Sequence, residues 1–306
     1  MNKKNKILII ITAFILFAFL IPYIVYKVRS PILIISEEYF INYYGIERIK
    51  NESKQISNKL FRPVLTVPIA NEAGDDLTAL AVGEFSSNPY CVLFPLRFAG
   101  AARFYRDRNP QSKVIILEGR YPENSSPSNF GIGDNKADYF IYKTDIERDF
   151  YKAAGAALLI DNKQNGKIIV FITPNLLLQA RTAFFEGLND FKNLFNSESI
   201  PEAYFYTDFS HYYDITDLSC IIYAGIGTEF LEKKTDIPSI LISWLNPLYV
   251  PDSTAVIIED SPWAQVEKAV KMLENGEENG KIPSKFHFIN MQKFDSKTLR
   301  KMIKTW

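Results

Sequence analysis

Arg97 ends the segment Pro95-Leu96-Arg97-Phe98, directly after an apolar run at residues 90–95. A guanidinium placed there offers forked donors to a carboxylate or to vicinal hydroxyls. Other residues just past apolar runs are candidates in the same way: Glu37, Tyr39, Phe98, Glu118, Arg120, Asp145, Asn175, Asp208, Gly225, Trp244 and Asp260. Acids and amides of this kind hydrogen-bond ligand hydroxyls, and Tyr39 and Trp244 have rings that stack on a planar ligand. Three positions carry a second reading. Asp145 also suits a helix cap, Arg181 a salt bridge, and Trp244 a core.

The parts of common enzymes are missing from the sequence. The two histidines, His211 and His287, have no partner at the spacing of a metal site or a nucleophile relay. There is neither a Gly-x-Ser-x-Gly elbow nor a phosphate-binding Gly-Lys-Ser/Thr loop. Gly225-Ile226-Gly227 follows a strand-like run, but Phe230 stands where a dinucleotide fingerprint needs its third glycine. Glu259 and Asp260 are sequence neighbours, so on a strand their side chains diverge. No cofactor and no metal are expected.

Strand-like runs fall at residues 32–36, 64–69, 90–95, 113–118, 139–143, 167–173, 203–206, 220–224, 239–243 and 255–259. Most are continuously apolar, which suits strands covered on both faces of a parallel sheet. Between them lie amphipathic stretches. Thr144-Asp145-Ile146-Glu147 fits a capping box opening a helix through Ala153-Ala154-Gly155-Ala156-Ala157. Asn175 is placed to cap the next helix, where Leu177, Ala180, Phe184, Leu188 and Phe191 recur at helical spacing. Ser261-Pro262 starts another, with Trp263, Val266, Val270 and Leu273 on its apolar face. Such alternation predicts a doubly wound α/β architecture. About ten strands suit two sheets of five, with chain crossings expected near 143–145 and 246–252. The expected division is 1–29 as cytoplasmic tip and transmembrane anchor, 30–144 with 253–306 as a first lobe, and 145–252 as a second.

Residues 7–26 form an uncharged, mainly apolar run long enough to span a bilayer as a helix. Lys3, Lys4 and Lys6 precede it and favour a cytoplasmic amino end. A cleaved signal peptide is the competing reading, but its apolar core is normally shorter. Both readings export the body to the extracytoplasmic side of the cytoplasmic membrane. With 35 basic and 35 acidic residues overall, and five of the bases within residues 1–29, the body is mildly acidic. That distribution argues against a nucleic-acid partner. Cys91 and Cys220 each sit in an apolar run and read as buried core thiols.

The order of segments resembles the type I periplasmic-binding-protein superfamily, which includes sugar and nucleoside receptors and the effector domains of Lac-type repressors. The likeness is carried by Asp145, by Gly155-Ala156-Ala157, by the strand Gly166-Lys167-Ile168-Ile169-Val170-Phe171, and by Arg181 with Phe185-Glu186-Gly187-Leu188. It extends over roughly residues 31–295. Leu188 departs from the aromatic usual at its position, and the helix between Tyr206 and Cys220 is nearly absent. The resemblance implies two parallel-sheet lobes joined by a multi-crossing hinge. It further implies that a small polar solute is bound at strand ends by Tyr39, Arg97, Phe98, Glu118, Asp145, Asn175, Arg181, Asp208, Gly225 and Trp244. A membrane permease or sensor is then the expected partner. Two other classes compete with this expectation: a membrane-anchored α/β enzyme acting on cell-envelope substrates, and a receptor remnant serving as a protein-interaction module.

Overall fold

A computed structural model of the chain describes residues 29–119, 139–160, 166–195, 199–208, 216–224, 236–242, 250 and 252–289. The chain falls into two compact units, residues 1–115 and 116–306. The first contains β1 (Ile32–Glu37), α1 (Glu38–Tyr44), α2 (Ile46–Leu60), β2 (Val64–Ile69), α3 (Asp75–Phe85), β3 (Cys91–Pro95), a 3-10 turn (Leu96–Phe98) and α4 (Ala99–Arg108). β4 (Val114–Gly119) straddles the boundary. The second contains β5 (Tyr139–Thr144), α5 (Ile146–Ile160), β6 (Lys167–Ile172), a 3-10 turn (Pro174–Leu176), α6 (Leu177–Phe195), β7 (Ala203–Tyr206) and β8 (Leu218–Ala224). It continues with β9 (Ser239–Ile242), β10 (Thr254–Glu259), α7 (Pro262–Glu274), β11 (Asn279–Ile282) and β12 (Lys285–Phe288).

The strands form two sheets of six, in the orders β11-β5-β4-β3-β1-β2 and β12-β10-β9-β8-β6-β7. In the first, β1 runs parallel to β2 and β3, and β11 parallel to β5. In the second every neighbour is parallel except β12, which is antiparallel to β10. The apolar runs read from the sequence become the inner strands. Ile32 to Ile35 and Cys91 to Phe94 are fully buried. β2 lies at an edge of its sheet, and there the pattern relaxes: Leu65 is 40% exposed. Pro68 is tolerated on that strand because an edge need not donate every ladder bond.

One face of the second sheet is covered by α5 and α6. Ile168, Val170, Ile172, Cys220, Ile222 and Ile240 pack there against Phe150, Ala153, Ala157, Phe184 and Leu188. The two helices approach closely because of two glycines. A Cβ at Gly155 would lie 2.8 Å from the Phe191 ring, and one at Gly187 would lie 2.9 Å from the Ala154 Cβ and against the Tyr151 carbonyl.

The structure revises several expectations. There are twelve described strands rather than ten; β11 is short and mostly polar, β12 alternates Lys285 and His287 with Phe286 and Phe288, and neither has the continuous apolar run that marks most of the others. No change of sheet occurs between β9 and β10, which pair in parallel, so the chain does not cross between sheets over 246–252 as expected. Thr254–Glu259, expected in the first lobe, therefore belongs to the second sheet. A proline-punctuated loop marks a break in the chain but cannot say which sheet the next strand joins. The chain changes sheet between β5 and β6, between β10 and β11, and between β11 and β12. Cys91 and Cys220 are buried, form no disulfide and lie on strands of different sheets. Among the described residues no helix is long and apolar enough to cross a membrane. The apolar run at 7–26 lies outside the described residues.

Candidate ligand-binding site

Strands parallel to one another end on the same edge, and in open α/β sheets that carboxyl edge is where ligands bind. In the first unit, β1 ends at Glu37 and β3 leads through its 3-10 turn to Arg97. These two side chains form an ion pair, with the guanidinium 32% exposed and the carboxylate 16%. Arg97 also lies against two rings, 4.8 Å from the centroid of Phe98 and 5.4 Å from that of Phe40. The Phe98 ring is buried, so it backs the guanidinium instead of facing solvent. Tyr39 is 58% exposed and stacks on Tyr43 with centroids 6.1 Å apart. Its backbone N–H donates to Asn71 Oδ1 at 3.1 Å. Asn71 lies two residues past β2 and was not singled out by the sequence; the strand-end rule that selected Arg97 would have found it.

In the second unit, Glu118 near the end of β4 pairs with Lys143 on β5 at 3.0 Å. Asp145 follows β5. Its Oδ1 accepts from the Arg148 N–H at 3.1 Å, so Asp145, and not Thr144, caps α5. Thr144 instead ends a strand and is buried, where its hydroxyl accepts from the Gln265 amide at 3.0 Å. Glu147, the expected reciprocal partner of the cap, pairs with Lys281 at 2.9 Å.

Asn175 is exposed within the 3-10 turn Pro174–Leu176, whose preceding residue is Thr173, and no side-chain cap bond forms there. Its expected capping role is corrected accordingly. Arg181 is exposed on α6, with its guanidinium 5.8 Å from the Phe185 ring centroid. Asp208 is exposed two residues past β7. Arg120, Gly225 and Trp244 lie outside the described residues.

The crossings themselves carry a buried polar network that the sequence did not announce. Asp149 on α5 is fully buried and accepts from both the N–H (2.9 Å) and the hydroxyl of Ser284, which lies between β11 and β12. The N–H of Asp145 donates to the carbonyl of Ile282 at the end of β11, at 2.9 Å. Glu259, fully buried at the end of β10, accepts from the Ser261 hydroxyl and pairs with His287 Nε2 at 2.7 Å. The Asp149 and Asp145 bonds join segments where the chain passes from one sheet to the other, and the Glu259–His287 pair ties β10 to its neighbour β12 within the second sheet. Among the described residues no group of His, Cys, Asp and Glu is arranged to hold a metal ion.

Two parallel α/β sheets, chained by three passages and bearing polar and aromatic residues at their carboxyl edges, constitute the type I periplasmic-binding-protein fold. Solved structures agree. The chain is similar to an ABC transporter system solute-binding protein from Conexibacter woesei, at 10% identity, with 90% of this chain and 95% of that one covered and a TM-score of 0.54. It is similar to the same degree of identity and coverage, with a TM-score of 0.51, to a transcriptional activator of the comK gene from Bacillus halodurans. Both likenesses speak to the fold. No protein-family model matches the sequence, and no curated protein matches it.

Proposed function

We propose that the protein is a membrane-tethered, extracytoplasmic solute-binding protein that takes a small polar ligand, such as a sugar or nucleoside, at the carboxyl edges of its sheets. The observation that carries this reading is the Arg97–Glu37 pair, bordered by Phe40 and by the exposed Tyr39–Tyr43 stack. A partly exposed guanidinium oriented by a carboxylate holds its forked donors in a fixed plane, a geometry that matches vicinal hydroxyls or a ligand carboxylate. The aromatic pair supplies a flat apolar surface of the kind that pyranose and nucleobase faces stack against. The solute-binding protein of similar fold from Conexibacter woesei supports a receptor over an enzyme.

In this reading Glu118, Asp145, Asn175, Asp208, Gly225 and Trp244 complete the polar contacts, and Arg181 contributes from α6. The run at 7–26 serves as the anchor, holding the body near a membrane permease or sensor. Mass spectrometry of small molecules released from protein purified without denaturation tests the proposal. A retained sugar or nucleoside, whose rebinding is lost in Arg97→Ala, is the expected result. If rebinding of the released compound is unchanged in Arg97→Ala, the site is misassigned.

A further inference from the structure

The first unit is charged unevenly along its strands. Its amino-terminal edge is a single surface, because adjacent strand starts are bonded to one another. The Ile32 N–H donates to the Pro63 carbonyl at 2.8 Å, that of Tyr90 to Pro31 at 2.7 Å, and that of Val92 to Lys113 at 3.0 Å. The helix carboxyl ends and the turns that lead into these strands lie at the same edge. On these segments Arg29, Lys59, Arg62, Arg106, Arg108 and Lys113 face only two acids, Glu84 and Asp107. The opposite, carboxyl-terminal pole carries Glu37, Glu38, Glu47, Glu72, Asp75 and Asp76 against Arg48, Lys50 and Arg97, so acids outnumber bases there.

The basic pole is also aromatic. Arg62 lies 3.8 Å from the centroid of the Tyr90 ring, and Lys113 lies 5.0 Å from it. Arg29 lies 4.9 Å from the Phe61 ring and donates to the Phe61 carbonyl at 3.2 Å. Phe61 is 40% exposed and Phe85, at the end of α3, is 46% exposed. Cations interleaved with partly exposed rings match the head-group region of a bilayer, where aromatic rings and basic side chains concentrate. We infer that this amino-terminal edge rests on an anionic lipid surface, with Arg29, Arg62, Arg108 and Lys113 meeting phosphate groups and Phe61 and Phe85 entering the interface.

The inference rests on the tether reading for its geometry. Arg29 follows Tyr26, the last residue of the apolar run, by three positions. Three residues reach at most about 11 Å, so a helix spanning the bilayer would leave Arg29 at its surface. Anionic lipid then attracts the basic pole and repels the acidic one, turning the unit so that the ligand edge faces away from the membrane.

The test uses the full chain in vesicles containing a head-group spin-labelled lipid. A fluorophore is placed at Asn88→Cys on the basic edge or at Leu77→Cys near the acidic pole; the native Cys91 and Cys220 are buried and do not compete for label. In vesicles of phosphatidylglycerol with phosphatidylcholine, quenching at position 88 is expected to exceed that at 77 by roughly threefold or more. The excess should vanish in phosphatidylcholine alone, in about 0.5 M salt, and when Arg62→Glu, Arg108→Glu and Lys113→Glu are combined. Equal quenching at the two positions, or an excess indifferent to phosphatidylglycerol and salt, overturns the inference. Extraction of the vesicles with alkaline carbonate reads the tether separately. Protein released by carbonate defeats the tether reading, while the contrast between positions 88 and 77 still decides the lipid-facing edge.

Discussion

The carboxylate of Asp149 accepts from both the backbone N–H and the hydroxyl of Ser284, a residue 135 positions away. Asp149 sits on the helix that carries the chain out of the first sheet, and Ser284 in the short turn where β11 gives way to β12. One buried acid thus bonds two of the three passages between the sheets. Replacing it with alanine leaves a buried N–H and hydroxyl unsatisfied, and we expect Asp149→Ala to lose about 2–3 kcal/mol of stability. Urea denaturation checks this. A change below the error of the linear extrapolation would show that water satisfies the Ser284 groups equally well.

Glu37 and Arg97 depend on one another. Removing the guanidinium leaves a carboxylate that is only 16% exposed without its partner, and takes away the donors proposed for the solute. Arg97→Ala is expected to weaken binding of the retained solute by about tenfold or more, equivalent to roughly 1.4 kcal/mol. Arg97→Lys keeps the charge but not the planar fork, and should recover only part of the loss. Isothermal titration on both variants makes the distinction; full recovery by lysine would mean that charge alone matters there.

Gly187 is a packing glycine. Its missing Cβ would press on the Tyr151 carbonyl and the Ala154 Cβ across the contact between α5 and α6. Backbone cannot retreat as a flexible side chain does, so Gly187→Ala should cost about 1–3 kcal/mol despite the better helix propensity of alanine. Thermal unfolding reads the result. An unchanged or raised midpoint would mean that the two helices shift apart without penalty.

Lys152 supplies a pH-dependent prediction. It is 8% exposed, with its ammonium 5.3 Å from the Phe286 ring centroid. Burial holds its pKa below the ordinary 10.5, Arg148 adds to the lowering, and Asp149 and Asp145 oppose it. Below the lowered value both folded and unfolded chains carry the charge, and the full penalty of burying it is present. As pH rises through the window up to 10.5, the folded chain releases the proton first, so stability rises. Lys152→Met removes the penalty and is expected to stabilise the protein by about 1 kcal/mol at neutral pH. The gap between variant and parent should close as the pH climbs through that window. Denaturation of both proteins across pH checks it, and a gap independent of pH would refute the explanation.

Nearly all the sheet-forming segments were readable from the chain, because a strand covered on both faces must be apolar at successive positions. Residues 32–36, 90–95 and 167–173 show this directly. The helical spacing of Ala180, Phe184, Leu188 and Phe191 likewise foretold the buried face of α6. The same logic explains what was missed. β11 and β12 are short and lack a continuous apolar run, and they are held as strands by partners distant in sequence.

At the candidate site, the rule that polar residues follow strand ends located Arg97 and Glu118, but not their roles. The rule cannot tell that Phe98 turns inward, or that Asp145 rather than Thr144 caps α5. A cap depends on backbone angles, and a ring's direction on the space left by its neighbours.

The amino-acid sequence by itself determined that the chain builds parallel α/β sheets from buried strands, because the burial pattern is written locally as runs and periods. Only the tertiary structure decided which sheet each strand joins, and that Asp149 meets Ser284, Glu259 meets His287 and Thr144 meets Gln265. Those are contacts between segments far apart along the chain, fixed by topology and not by any nearby pattern.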